Sequence, residues 1–134
     1  MSVENVEIVR RIYEAWAKGA PGDSGLLDPE IEWVNPPAAV EPGTRVGAEN
    51  FGEAAASVSD SFKGVRVEIE ELIDRGDRVI VIGTLHGMGR GSGADVERRQ
   101  GYIWTIRDGK AVRFEWFTDP REALKAAGLS EPAG

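Results

Sequence analysis

Gln100-Gly-Tyr-Ile-Trp-Thr-Ile-Arg-Asp-Gly-Lys-Ala-Val-Arg-Phe-Glu-Trp-Phe-Thr-Asp119 reads as a β-hairpin. Two runs of aromatic and β-branched residues flank Asp108-Gly109, a pair suited to reversing a chain because glycine accepts positive φ. Two registers are open. A two-residue type I′ loop sets Arg107 against Lys110 and places Tyr102 and Trp104 on one face with Arg113, Glu115 and Phe117. A three-residue turn closed by a glycine bulge instead sets Ile106 against Lys110 and aligns Tyr102, Trp104 and Ile106 with Val112, Phe114 and Trp116. The second is preferred, because one face becomes wholly apolar while Arg113 and Glu115 go to the other. That face is either a core or the wall of a pocket.

The hairpin closes a longer pattern. Val3 to Lys18 carries Val6, Val9, Tyr13 and Trp16 at helical spacing with Ile12 beside them, between a capping Ser2 and a terminating Gly19. Gly19 to Asp28 is broken by Gly and Pro, with room for one helical turn around Leu26 and Leu27. Ile31 to Asn35 alternates as a short strand stopped by Pro36-Pro37, and Ala38 to Arg45 reads as a loop placed to cover a cavity mouth. Gly47 to Phe62 repeats the helical stripe with Phe51, Ala54, Ala55 and Val58. Val65, Val67 and Ile69 then alternate as a strand until Glu70-Glu71, where the shift to Leu72-Ile73 signals a β-bulge and a bent sheet.

After the turn at Arg75-Gly-Asp77, the strand from Arg78 to Met88 puts Ile80, Ile82, Thr84, His86 and Met88 on one side and Val79, Val81 and Leu85 on the other. A glycine-dense loop leads to the strand from Val96 to Arg107. Asp119-Pro-Arg-Glu122 starts a short helix that Gly128-Leu129 ends in a Schellman motif with Leu124. The order is helix, small helix, strand, helix, four antiparallel strands and a terminal helix, an α+β fold. A curved sheet wrapped around helices leaves a cone whose interior is a pocket.

Composition narrows the functional classes. The 134 residues fit one domain, and a formal charge of −7 argues against nucleic acid or an anionic membrane as partner. Without cysteine, and with one histidine, there is no thiolate chemistry and no multi-histidine or cysteine metal site, so neither metal nor other cofactor is expected. The first residues lack the basic and apolar regions of a signal peptide and no apolar run reaches membrane-spanning length, which makes the cytoplasm the default location. Gly89-Arg-Gly-Ser-Gly-Ala94 matches a dinucleotide fingerprint only formally, since a strand rather than a helix follows it. The carboxylates of Glu68-Ile-Glu-Glu71 lack the spacing of a calcium loop and read as a solvated face.

Glu4-Asn-Val-Glu-Ile-Val-Arg-Arg-Ile-Tyr-Glu-Ala-Trp16, Asp28-Pro-Glu-Ile-Glu-Trp33, Arg107-Asp-Gly-Lys110 and Glu122-Ala-Leu-Lys-Ala-Ala-Gly-Leu129 together resemble the SnoaL-like branch of the nuclear transport factor 2-like superfamily. The resemblance spans nearly the whole chain. It implies the cone fold and a homodimer through the outer sheet face, with Ile103, Thr105 and Phe117 as the apolar patch. It leaves function open among ketosteroid isomerases, polyketide cyclases, limonene-epoxide hydrolases and non-catalytic binders.

Aligned by that resemblance, the isomerases' base, oxyanion tyrosine and protonated aspartate fall on Asn35, Ile12 and Tyr102. The acid of the cyclases and hydrolases falls on Trp116, and the hydrolases' Arg-x-Asp falls near Thr84-x-His86. An asparagine cannot take a proton at neutral pH, and alone it orients a water without activating it. Two readings follow. One is a binding protein for a small, largely apolar molecule in a cone lined by Tyr13, Trp16, Trp33, Asn35, Phe51, His86, Tyr102, Trp104, Phe114 and Trp116. The other is a cofactor-independent isomerase, cyclase or hydrolase of a polycyclic or terpenoid-like substrate, with His86 as base or Tyr102 as donor beside Asn35.

Overall fold

A computed structural model describes residues 3–18, 25–36 and 43–129. Its elements run α1 (Val3–Ala17), β1 (Leu27–Asn35), β2 (Gly43–Val46), α2 (Ala48–Ser61), β3 (Phe62–Arg75), β4 (Arg78–Gly89), β5 (Asp95–Arg107), β6 (Lys110–Phe117) and α3 (Pro120–Ala126). One six-stranded sheet orders them β2-β1-β6-β5-β4-β3. All neighbours are antiparallel except β1 and β6, which run parallel. The fold is α+β with a mixed sheet.

The hairpin combines the two registers. Asp108 and Gly109 have φ of 53° and 78°, as a type I′ turn requires, and Arg107 faces Lys110. Ile106 then faces Ala111, but Thr105 faces Arg113, so Val112 is an extra residue. Past that bulge Trp104 faces Phe114 and Tyr102 faces Trp116, the preferred pairing. The turn chemistry of Asp-Gly wins locally, and burial of the aromatic face wins beyond it. The expected break at Glu70 is present: Ile69 pairs with Gly83 and Glu71 with Ile82, leaving Glu70 between them.

Two corrections concern the first half of the chain. Leu27, expected in a helical turn, begins β1, and Gly43 to Arg45, expected in a loop, pair with β1 as part of β2. Gly and Pro near both segments hid short strands whose hydrogen bonds come from β1 rather than from local propensity. Ser2, Gly19 and residues 38–42 of the expected loop lie outside the described residues.

The sheet carries a core on each face. On one, α1 and α2 pack Val9, Ile12, Tyr13, Phe51 and Ala55 against Ile31, Val79, Val81, Trp104 and Phe114. On the other, α3 sets Ala123 and Ala127 on Ile80, Ile82 and Ile103. Asp119 caps α3 by accepting from the Arg121 backbone N–H, and Leu129 and Gly128 donate to the Leu124 and Lys125 carbonyls in a Schellman closure. Gly101 permits this approach, since a Cβ there would meet the Ala123 Cβ at 2.5 Å. The cover of α3 also corrects the expected patch. Of the three, Ile103 is buried beneath α3, whereas Thr105 and Phe117 keep partial exposure. No helix among the described residues is long and apolar enough to cross a membrane.

Candidate functional site

The period of α1 turns Tyr13 and Trp16 towards the sheet, and the two-residue period of the strands sends Trp33 and Asn35, Tyr102 and Trp104, and Phe114 and Trp116 to meet them. Phe51 arrives from α2. Seven rings interlock, from Trp104 and Phe114 with centroids 4.5 Å apart to Trp16 and Phe51 at 6.4 Å. Tyr13 stacks on Trp16 and meets Trp104 edge-on, while Tyr102 stacks on Phe114. Offset and edge-on contacts of this kind add to the burial term.

The expected lining divides. Trp104 and Phe51 are 0% exposed and Phe114 is 2%, so these rings are packed core. Trp16, Asn35 and Trp116 keep partial exposure. They stand at the last turn of α1 and near the C-terminal ends of the parallel strands β1 and β6, so the partly exposed members of the cluster gather at that end.

Hydrogen bonds distinguish the four indoles. Trp104 donates through Nε1 to the Tyr13 hydroxyl at 2.9 Å. Trp33 and Trp116 both donate to Asn35 Oδ1, at 2.7 and 2.6 Å. Two indole donors fix the orientation of that amide and occupy both lone pairs of its oxygen, which is therefore not available to orient a water. Trp16 Nε1 is buried and has no acceptor among the described residues.

Tyr102 donates to Gln100 Oε1 at 2.7 Å. Burial pushes its phenol well above the ordinary tyrosine value. Burial, and then the proximity of Tyr102, also raise the Tyr13 phenol, against the lowering effect of the Trp104 bond. Both side chains thus stay protonated, and they are the only tyrosines in the chain. An unfolded tyrosine ionises near pH ~10, so the stability carried by these neutral phenols is complete below that pH and lost as pH rises towards their folded values. Phenolate absorbance is expected to emerge only together with loss of the near-ultraviolet dichroism of the packed rings. A full phenolate signal at ~pH 10 with that dichroism intact would contradict the burial.

His86 does not join this group, which corrects its placement on the inner face. No bulge interrupts β4 against β5, so His86 keeps the parity of Ile80 and Ile82 and lies on the α3 side of the sheet. Its ring lies between carboxylates, Nε2 at 2.8 Å from Glu68 Oε1 and Nδ1 at 3.3 Å from Glu97 Oε1. Beside it Thr84 and Arg99 hydrogen-bond Glu70. The Glu68 and Glu70 carboxylates are therefore exposed partners of cross-strand groups on the outer face. That face also bears an open groove of about 680 Å³ between Asp28, Glu30 and Glu32 and the basic Arg107, Lys110 and Arg113, with Arg113 3.4 Å from Glu32. It is charged, unlike the aromatic end.

Gln100 was missed as a site residue, although its even spacing with Tyr102 and Trp104 was a signal. Among the described residues no group of three His, Cys, Asp or Glu side chains could hold a metal ion.

The comparisons agree with this architecture. The pattern of the SnoaL-like domain matches residues 9–114. TerC, crystallised with polyporic acid, is 28% identical and superposes over 94% of this chain and 97% of its own with a TM-score of 0.75. An NTF2-like protein from Burkholderia thailandensis is 29% identical over 94% of this chain and 96% of its own, with a TM-score of 0.72. A protein described as a SnoaL-like polyketide cyclase from Jannaschia sp. is 23% identical over 97% of this chain and 94% of its own, with a TM-score of 0.78, a likeness of fold alone. Among curated proteins no sequence matches.

Proposed function

The chain belongs to the SnoaL-like domain family, and on that premise we propose that it binds a small, largely apolar molecule at the open end of its aromatic cluster without transforming it. One observation carries the reading: Asn35 and Trp116, which by the resemblance stand where relatives place acids and bases, are bonded to each other through Nε1 and Oδ1. A neutral amide saturated by two indoles accepts no proton and activates no water. The interlocked rings themselves are phenylalanine, tyrosine and tryptophan, none of them a base near neutral pH. The alternative enzyme needs His86 as its base, and His86 is across the sheet among glutamates. TerC, of the same fold and 28% identical, was crystallised with an organic molecule, which supports a ligand site here.

The test is a titration of tryptophan emission with a sterol, a monoterpenoid and an anthraquinone. At least one should give a saturable change. Trp116→Ala should weaken it by about tenfold or more, the loss expected for one well-packed aromatic contact, and His86→Ala should leave it unaltered. Silence with all three probes, or turnover of a bound probe that depends on His86, would overturn the proposal.

A further inference from the structure

We infer that the molecule bound at the partly exposed end of the cluster is an aromatic carboxylate, its rings against Trp116 and its carboxylate held by the Gln100 side-chain amide and the Arg98 guanidinium. The inference rests on the binding reading above and adds the polar end of the ligand to it. β4 and β5 pair without a bulge from Arg78 opposite Thr105 to Met88 opposite Asp95, so alternation along β5 is strict. It sends Glu97 and Arg99 to the outer face, where they meet His86 and Glu70. It sends Arg98 and Gln100 to the inner face with Tyr102 and Trp104. Exposure falls along that row: Arg98 is exposed, Gln100 half-buried, Tyr102 4% and Trp104 0% exposed. One strand thus grades from a cation through an amide and a phenol to a buried indole, beside Trp116, which faces Tyr102 across the pairing of β5 with β6.

Hydrogen bonding decides which atoms of this row are left for a ligand. Tyr102 donates its hydroxyl proton to Gln100 Oε1, which pins the amide oxygen and turns the Nε2 hydrogens away from the phenol. Asn35 Oδ1 is taken by Trp33 and Trp116. Neither Gln100 Nε2 nor Arg98 has a partner among the described residues, whereas Arg99 next door is held by Glu70 at 3.1 Å. Both are donors, and their backbones stand about 7 Å apart along the strand, a separation that the long side chain of Arg98 spans. A carboxylate matches the pair, because it accepts several hydrogen bonds and carries the opposite charge. The half-buried Arg45, opposite Trp33 on the same face, adds a second cation. The chain as a whole carries a formal charge of −7, so its overall field disfavours an anion and only local groups of this kind favour one.

2-Naphthoate, 2-naphthamide and 2-naphthylmethylammonium share one ring system and differ in charge. Each would be titrated calorimetrically into the wild type, Arg98→Gln and Gln100→Glu. The first variant changes an exposed side chain, and the second keeps the acceptor for Tyr102 while removing both amide hydrogens, so both should fold. The wild type is expected to bind naphthoate about tenfold tighter than naphthamide, as one charge-assisted hydrogen bond allows, with the ammonium weakest. The Gln100 amide resonances, identified by their loss in Gln100→Glu, should move in nitrogen-15 spectra as naphthoate binds. Arg98→Gln should bring naphthoate and naphthamide to near parity, and Gln100→Glu should weaken naphthoate most. Equal binding of naphthoate and naphthamide to the wild type, or a preference for naphthoate that survives both substitutions, would overturn the inference and leave the binding reading standing. Failure of all three probes to bind would overturn both.

Discussion

Trp104→Ala is expected to destabilise the protein by about 3–5 kcal/mol, the largest effect of any single substitution in the aromatic cluster. Trp104 is 0% exposed, lies on the inward face of β5, and touches Tyr13, Phe51 and Phe114. Its removal leaves a cavity walled by sheet and helices that cannot collapse into one another, and takes from Tyr13 its indole partner. Domains of this size have total stabilities of about 5–15 kcal/mol, so the variant should be largely unfolded at modest denaturant. Urea unfolding followed by far-ultraviolet dichroism measures the shift in midpoint at constant slope. Trp116→Ala serves as the control. It lies at the partly exposed end and should lose clearly less stability while losing ligand. If both variants lost stability equally, or Trp104→Ala stayed within about 1 kcal/mol of the wild type, the division into packed centre and open end would be wrong.

That division marks how far the sequence could be read. The inward faces of α1 and β5 were legible because both are long and strictly periodic, and burial forces their phase. The bulge at Glu70 was legible because alternation visibly slips there. The hairpin was half legible: Asp-Gly dictates its own turn and the aromatics dictate their own partners, and only three-dimensional closure reveals that Val112 absorbs the difference.

His86 shows the opposite case. Its placement with Ile80 and Ile82 on one side of β4 was correct, but which side faces α1 and α2 depends on the docking of α3, which is encoded downstream in Gly101 and Ala123 rather than in the strand. A histidine with the right chemistry was thus assigned to the wrong face. Nor could spacing alone reveal the indole bonds. Trp33-x-Asn35 announces two side chains on one face of a strand. That Trp116 completes the set follows from the parallel register of β1 and β6, and parallel partners leave no local signature.

Asn35→Leu tests that non-local arrangement directly, and its expected effect is the second largest. Leucine has the branching and the number of side-chain heavy atoms of asparagine but accepts no hydrogen bond, so Trp33 Nε1 and Trp116 Nε1 lose their shared oxygen at once. Two bare, mostly buried donors should lower stability by roughly 2–3 kcal/mol, at the modest end of the range for unsatisfied groups because Trp116 retains some solvent. Asn35→Asp keeps an acceptor at the same place and should lie closer to the wild type. The indole resonances separate this account from a general packing defect: those of Trp33 and Trp116 should move upfield together in Asn35→Leu, while that of Trp104, bonded to Tyr13 deep in the cluster, holds its position. If neither moved, the Asn35 bridge would be absent in solution, and a free amide would return beside Trp116 as a group able to orient a water. The case for binding without chemistry depends on that oxygen being occupied.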